Sequence, residues 1–275
     1  MVAATPGHVP VGDVSASVSR RINAERLVLL AWARAILLQL AHPLIAAGVH
    51  EHSGFRQSPA AAISRLHHTV RSMLALAFGD DEAREHALET IRGIHRRVHG
   101  TLASAVGPFG AGTPYSAEDP ALLLWVHATL LDSVPLVYEQ IVHGLTDEEH
   151  DRYCVEAAPI AVALGARDAD VPRTRADLRA YMESVYRSGQ IVVGRDAREL
   201  ARAVMRPRGR ALVAPAAWVN DLLTVGLLPD PIRRQYGFDW TPRRGRALSV
   251  ALRGLRAVRR ATPDRVALWK DARKA

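Results

Sequence analysis

Histidine is the residue type with the most evident chemical potential in this sequence, which holds 12 of them among 275 residues. All except His8 lie between His42 and His150. His42, His95 and His127 have apolar residues one helical turn away on both sides, so a helix would place each on an apolar face. A buried neutral imidazole carries one donor and one acceptor that must find a protein group, a water or a metal. An ordinary core histidine explains any one of them, whereas three on neighbouring helices favour a metal or cofactor site.

The other residue types exclude several alternative centres. Cys154 is the single cysteine, which excludes an intramolecular disulfide, a cysteine-based zinc site and an iron–sulfur cluster within one chain. The sequence holds no His-Glu-x-x-His, no Gly-x-Ser-x-Gly, no phosphate-binding loop and no dinucleotide fingerprint. The glutamates near His86 and His150 lack the spacing of a di-iron helix. Haem requires fewer protein ligands than these centres, because it needs one axial imidazole, apolar walls and a few cations for its propionates.

A second set of polar residues recurs at helical spacing. Arg65, His68, Thr69 and Ser72 stand at i, i+3, i+4 and i+7, which places them on one face of a helix whose other side is apolar. An arginine, an imidazole and a hydroxyl on one face can anchor a propionate and hydrogen-bond dioxygen. The same pattern also describes the solvent-exposed face of an ordinary amphipathic helix, and periodicity alone favours that interpretation.

Helices must position all of these residues, because apolar residues recur every three or four positions and no long run alternates with period two. We expect one compact all-α domain of about ten helices over residues 21–275, with long central helices forming a cofactor pocket. Residues 1–20 are small and polar and predict a mobile arm. The predicted helices span 22–49 with a bend near Pro43, 59–78, 81–99, 119–143 with a bend near Pro135, 147–164, 175–187, 196–205, 215–226, 229–236, 242–261 and 263–273.

The positive charge is confined to one end of the chain. The formal net charge is +8, yet residues 241–275 hold 11 Arg and Lys against 2 Asp, so the rest of the chain is close to neutral. A neutral body argues against nucleic acid as a partner. The basic tail predicts either a terminal helix packed on the body with its arginines reaching solvent, which we favour, or a peripheral contact with anionic membrane. No export signal is visible, so we expect a cytoplasmic protein.

Seven stretches carry a family resemblance, among them Arg-Leu-His-His-Thr at 65–69 and Ile-His-Arg-Arg-Val-His-Gly at 94–100. The others lie at 39–53, 115–120, 124–130, 171–174 and 226–229. Taken in their order along the chain, the seven stretches resemble the MpaB-type oxygenases, the family that includes the rubber oxygenases called latex clearing proteins. The likeness covers roughly residues 20–273 and is strongest to the short, mostly actinobacterial members.

The resemblance implies haem b in an all-α domain, with one proximal histidine and a nearby Arg-x-x-Lys-Thr helix on the active side. Arg65 and Thr69 match that motif, and His68 stands where the family has its lysine. An imidazole at this position can itself bind ferric iron, which makes His68 a candidate sixth ligand. Arg65 is also a candidate anchor for a propionate.

The proximal ligand is expected from the segment 94–99 by order along the chain. We prefer His95 to His99, because His95 has apolar neighbours on both sides whereas His99 directly precedes Gly100. His127 is the second candidate, and His42 is a further candidate for binding the cofactor.

Together these observations predict a haem b-dependent oxygenase that uses dioxygen on a small or medium hydrophobic substrate, isoprenoid- or polyketide-like, by cleaving a C=C bond. Arg65, His68 and Thr69 would orient oxygen or a propionate, and Glu51 is a candidate general base. One alternative is a non-haem iron enzyme that uses His42 with the two proximal candidates, His95 and His127. The other is a haem- or lipid-binding protein without turnover.

Overall fold

The computed structural model describes residues 17–52, 59–205 and 214–273. Within these ranges the chain folds into 13 α-helices and one two-stranded antiparallel sheet, which confirms the all-α prediction. The helices are α1 (Val18–Ala24), α2 (Leu30–Leu40), α3 (Pro43–His52), α4 (Pro59–Phe78), α5 (Asp81–His95), α6 (Pro120–Ile141), α7 (Asp147–Leu164), α8 (Arg175–Arg187), α9 (Arg195–Met205), α10 (Ala214–Leu227), α11 (Asp230–Gln235), α12 (Pro242–Ala261) and α13 (Asp264–Ala267). The strands are β1 (His99–Thr101) and β2 (Pro114–Ser116).

Local signals in the sequence define most helix ends. Thr146 accepts a hydrogen bond from the backbone N–H of Glu149, and the Glu149 side chain accepts one from the backbone of Thr146, so α7 begins with a complete capping box. Its end is equally local, because Gly165 adopts the left-handed conformation with φ of 114°. Asp119 caps α6, and Pro120 occupies its first turn, where no N–H is needed.

The predicted helix over 22–49 is divided into several pieces. The chain is extended at Glu25, continues as a short 3-10 turn (Arg26–Leu29) and then forms α2 and α3. At Pro43 the helix axis turns by 109°, because proline has no N–H to donate and its ring clashes with the preceding turn. The predicted bend is therefore correct, whereas the break at Glu25 was not predicted.

The centre of the molecule is α6, which packs lengthwise against α2. Its Trp125 and Tyr138 are among the largest fully buried side chains. In the described part of the chain, α6 is the one unbroken helix long and apolar enough to cross a membrane. However, 67% of its 18-residue apolar stretch is buried inside the fold. Burial in the protein core thus accounts for its apolar composition.

The folded part of the chain begins before residue 21. Ser17 caps α1, and the carboxylate of Glu156 on α7 accepts hydrogen bonds from the Ser17 hydroxyl and from the backbone N–H of Ser19 at 2.9 and 2.7 Å. The boundary predicted at residue 21 is therefore too late for residues 17–20. The rest of the predicted mobile arm, residues 1–16, lies outside the described residues.

Candidate functional site

Unpartnered histidine nitrogens mark the candidate site. Among the described residues, five buried side-chain nitrogen or oxygen atoms have no hydrogen-bond partner, and three of them belong to His42, His95 and His127. These are the three histidines that the sequence placed on apolar faces. A buried polar atom without a partner carries a free-energy penalty, so such atoms often indicate a ligand or water.

His42 lies at the corner between α2 and α3 and is 4% exposed. Its ring contacts Phe109, with 5.3 Å between the ring centroids. Burial lowers the pKa of His42 to about 4, although the side chain of Gln190 and the carboxylate of Asp119 act in the opposite direction. The imidazole is therefore neutral at physiological pH, and its buried Nδ1 has no partner.

His95 is the last residue of α5 and is half-buried. Burial lowers its pKa, and the nearby charge of Glu118 only partly opposes this. Its Nδ1 is buried without a partner. The helix was predicted to continue to residue 99, but it ends here because the following residues turn and pair with β2.

The early end of α5 separates His99 from His95. His99 lies in β1 opposite Ser116, with an exposed side chain, and its carbonyl oxygen is 3.1 Å from the Nε2 of His52. It therefore does not share a helix face with His95. The choice between the two as proximal ligand stays a prediction.

His127 lies on α6, two turns after Pro120, and differs from the other two in the atom that it leaves free. Its Nε2 is buried without a hydrogen bond. Burial, together with the positive charge of Arg173, lowers its pKa to about 4. His127 thus presents a neutral imidazole in the protonation state that ligates a metal.

Two of the three histidines are near the start of α6, and the third lies on α6 itself. His42 and His95 respond to the charges of Asp119 and Glu118 respectively, just before α6, and His127 is within it. Across the described ranges, however, no three His, Cys, Asp or Glu residues are grouped so that they could hold one metal ion. The predicted iron triad of His42, His95 and His127 is therefore not assembled.

The antiparallel hairpin of α4 and α5 brings two predicted parts of the site to one level. The helices are joined by the two-residue turn Gly79–Asp80 and pack through an apolar cluster that includes Leu76 and Leu88. Residue 65 lies thirteen positions before the end of α4 and His95 fourteen positions after the start of α5, so both are about 20 Å from the turn. Position 65 and His95 thus lie at similar distances from the turn along their helices, while the side chain of Arg65 lies outside the described part.

The other members of the predicted polar face are open to solvent. His68 and Thr69 are exposed on α4. The His68 ring stands edge-on to His67, with 6.1 Å between the centroids. His68 and Thr69 both lie on α4 between position 65 and the turn.

Glu51 belongs to a hydrogen-bonded group that the sequence did not reveal. The hydroxyl of buried Tyr115 donates to the Glu51 carboxylate at 2.5 Å and is 3.4 Å from the Nε2 of His52. Burial and the bond to Glu51 raise the pKa of Tyr115. This group joins the end of α3 to the sheet that follows α5. Tyr115 was missed because its partner is 64 residues away.

A groove of about 490 Å³ lies on the opposite side of α5. It is lined by His86, Glu89, Thr90, Arg92 and Arg96. His95 follows His86 by nine residues, which is two and a half helical turns, so the two side chains leave α5 in opposite directions. The groove is therefore separate from the histidine site.

A fold of this kind, all-α with neutral imidazoles around one central helix, is suited to holding a cofactor through histidine. The profile of one protein family, described as "ER-bound oxygenase mpaB/B'/Rubber oxygenase, catalytic domain", matches residues 19–261. The match spans most of the chain, and the protein belongs to this oxygenase family. No curated protein and no solved structure matches the chain.

Proposed function

We propose that this oxygenase depends on haem b and acts on a small or medium hydrophobic substrate, isoprenoid- or polyketide-like, by oxidative cleavage of a C=C bond. The observation that carries the cofactor is the set of neutral imidazoles with buried, unpartnered nitrogens in a chain of this family. Iron in haem, when bound, supplies the chemistry that activates dioxygen. The fold supplies ligands, cations and an apolar surrounding.

His95 is the proposed axial ligand. Burial keeps its imidazole neutral, which is the form that binds iron, and its Nδ1 has no competing hydrogen bond. It lies about as many residues from the α4–α5 turn as position 65 does. Arg65 is proposed to pair with a propionate, since a guanidinium can bind a carboxylate through two hydrogen bonds.

His68 and Thr69 are proposed to meet the open side of the cofactor. Both lie on α4 between position 65 and the α4–α5 turn, with exposed side chains. Glu51 is proposed as the base. The hydrogen bond from Tyr115 holds its carboxylate in one position.

The absorbance spectrum of the purified protein tests the proposal. We expect a Soret band after expression with haem or after reconstitution with haemin, and loss of that band in His95→Ala. His86→Ala is the matched control, because His86 is exposed on the opposite face of the same helix. It should keep the band. His127→Ala distinguishes the second candidate ligand, whose Nε2 is also buried and free.

Two results would overturn the haem proposal. A colourless, metal-free protein that does not take up haemin contradicts it directly. Iron detected by elemental analysis without a Soret band favours a non-haem iron site instead. A band that survives in His95→Ala but disappears in His127→Ala keeps haem and moves the axial ligand to α6.

A further inference from the structure

The outward side of α12 is an ordered row of positive charge. Arg246, Arg253 and Arg260 recur every seven residues, so they follow one line along the helix over about 21 Å. All three are exposed. Val250 stands near this line, and Val258 lies at the other edge of the exposed side of the helix; they are 59% and 58% exposed. We call these five residues the basic face.

The inward side of α12 is held firmly on the body. Arg256 donates to the backbone carbonyls of Glu139 and Gln140 at the end of α6, at 2.9–3.2 Å. Arg259 donates two hydrogen bonds of 2.7 Å to the carboxylate of Glu25, which is 5% exposed. These contacts confirm that the basic tail packs on the body. They also fix the direction in which the basic face points.

The arginines of the basic face make no polar side-chain contacts within the described part of the protein. Within the described ranges, none of the three forms a side-chain hydrogen bond or an ion pair. Arg243 and Arg265 extend the same exposed positive region on either side. A surface of one sign without internal partners attracts an anionic counterpart.

The exposed valines indicate which class of anionic partner the basic face suits. Six large apolar side chains are strongly exposed in the described part, and three of them, Val250, Val258 and Val266, lie on α12 and α13. Exposed apolar side chains on the same side of a helix as arginines suit the boundary between lipid headgroups and acyl chains. Nucleic acid would instead favour aromatic side chains for stacking, and α12 carries none.

We propose that the basic face docks the protein on an anionic phospholipid membrane. The arginines would pair with the headgroup phosphates and carboxylates while the valines enter the apolar boundary. Each arginine near such a surface strengthens binding about five-fold, so removal of three weakens it on the order of 100-fold. This docking does not depend on the cofactor, and it would keep the oxygenase at a surface where hydrophobic molecules accumulate.

Vesicle co-sedimentation of the full chain tests the proposal. The vesicles contain phosphatidylcholine mixed with phosphatidylserine, or phosphatidylcholine alone. We expect binding to the mixed vesicles at low salt, release at high salt and little binding to phosphatidylcholine. The variant Arg246→Gln with Arg253→Gln and Arg260→Gln should lose most of the binding, and Val250→Gln with Val258→Gln should weaken it more modestly.

A charge-matched variant separates docking from net charge. Arg167, Arg179 and Arg234 are exposed and lie on other elements. Their replacement by Gln removes the same charge and should leave vesicle binding nearly unchanged. An unchanged melting temperature shows that each variant is folded.

Three outcomes overturn the proposal. One is equal loss of vesicle binding in the two triple arginine variants, which would show that net charge alone explains the binding. Another is equal binding to vesicles with and without phosphatidylserine. The third is absence of vesicle binding with salt-sensitive binding to duplex DNA that requires the same three arginines, which would assign the basic face to nucleic acid.

Discussion

His42 illustrates how burial alone sets the chemical state of a side chain in this protein. It is a single imidazole at a helix corner, and the Gln190 side chain and the Asp119 charge offset only part of the cost of losing water. The protein therefore keeps it neutral, with a pKa of about 4. In the unfolded chain the same group has a pKa of about 6.5.

This difference predicts how stability depends on pH. Because the folded pKa is lower, the unfolded chain binds a proton that the folded chain does not, and the free energy of unfolding falls as the pH drops from about 6.5 to about 4. His42 contributes at most about 1.4 kcal/mol per pH unit to this slope. Urea unfolding over this pH range measures it. His42→Gln should flatten the curve, and an equally steep curve in that variant would contradict the assignment.

Gly100 shows a second residue-level constraint, which comes from space. A Cβ at this position would lie 2.5 Å from the hydroxyl of Tyr115 and 3.2 Å from the carboxylate of Glu51. Tyr115 is buried and hydrogen-bonded, so it cannot move aside freely. The glycine is therefore required by the Tyr115–Glu51 pair.

We expect Gly100→Ala to destabilise the protein by roughly 1–3 kcal/mol, because the added methyl group displaces Tyr115. Denaturant unfolding measures this. Gly110→Ala is the matched control, since its Cβ would meet nothing within 4 Å. It should change stability by about 0.5 kcal/mol or less. Equal effects of the two substitutions would show that the close approach at Gly100 is relieved without cost.

At the scale of elements, α12 depends on one buried ion pair. Glu25 is 5% exposed where the chain is extended between α1 and the 3-10 turn, and Arg259 reaches it from the far end of the sequence. The same guanidinium also contacts Asp264 at 2.9 Å. The pair therefore ties the C-terminal helices to the start of the fold.

Removal of one partner should be more costly than removal of both. We expect Arg259→Gln to destabilise the protein by about 3 kcal/mol, because it leaves the Glu25 carboxylate buried without its cation. The double variant Glu25→Gln with Arg259→Gln should recover much of this loss. Arg187→Gln removes an exposed pair with Glu183 and should cost no more than about 0.5 kcal/mol. Thermal unfolding of the four proteins compares them, and a double variant no more stable than Arg259→Gln would contradict the coupling.

At the scale of the whole molecule, one apolar core joins most of the chain. The main buried cluster extends from Val18 in α1 to Tyr236 directly after α11, and half-buried leucines of α12 pack against it. A core shared by so many elements should unfold in one transition. Cys154 lies within this cluster, 2% exposed.

The single thiol reports on that cooperativity. Burial raises the pKa of Cys154 to about 11, and the charges of Asp151 and Asp177 act in the same direction, so the native thiol is both covered and protonated. We expect a thiol reagent to modify Cys154 only as the protein unfolds, with the same denaturant midpoint as circular dichroism. Cys154→Ala controls for reagent background. Modification well before the loss of helix would reveal local opening around α7.

Much of the fold was predictable because its determinants are local. The capping box of α7 and the Asp119–Pro120 start of α6 involve residues within one turn of each other. The end of α5 was not predictable in this way, because the three residues of β1 pair with a strand that follows a loop. A helix ends there only when the tertiary partner competes for the backbone.

The same distinction between local and tertiary determinants applies to the candidate site. The sequence by itself identified the three histidines that hold a buried nitrogen without a partner, since an apolar face is a property of spacing along one helix. Only the tertiary structure decided that His42, His95 and His127 do not share a metal, that Tyr115 holds Glu51, and that the inner arginines of α12 serve the fold. Those relations join residues far apart in the chain, and their geometry depends on how whole helices pack rather than on neighbouring residues.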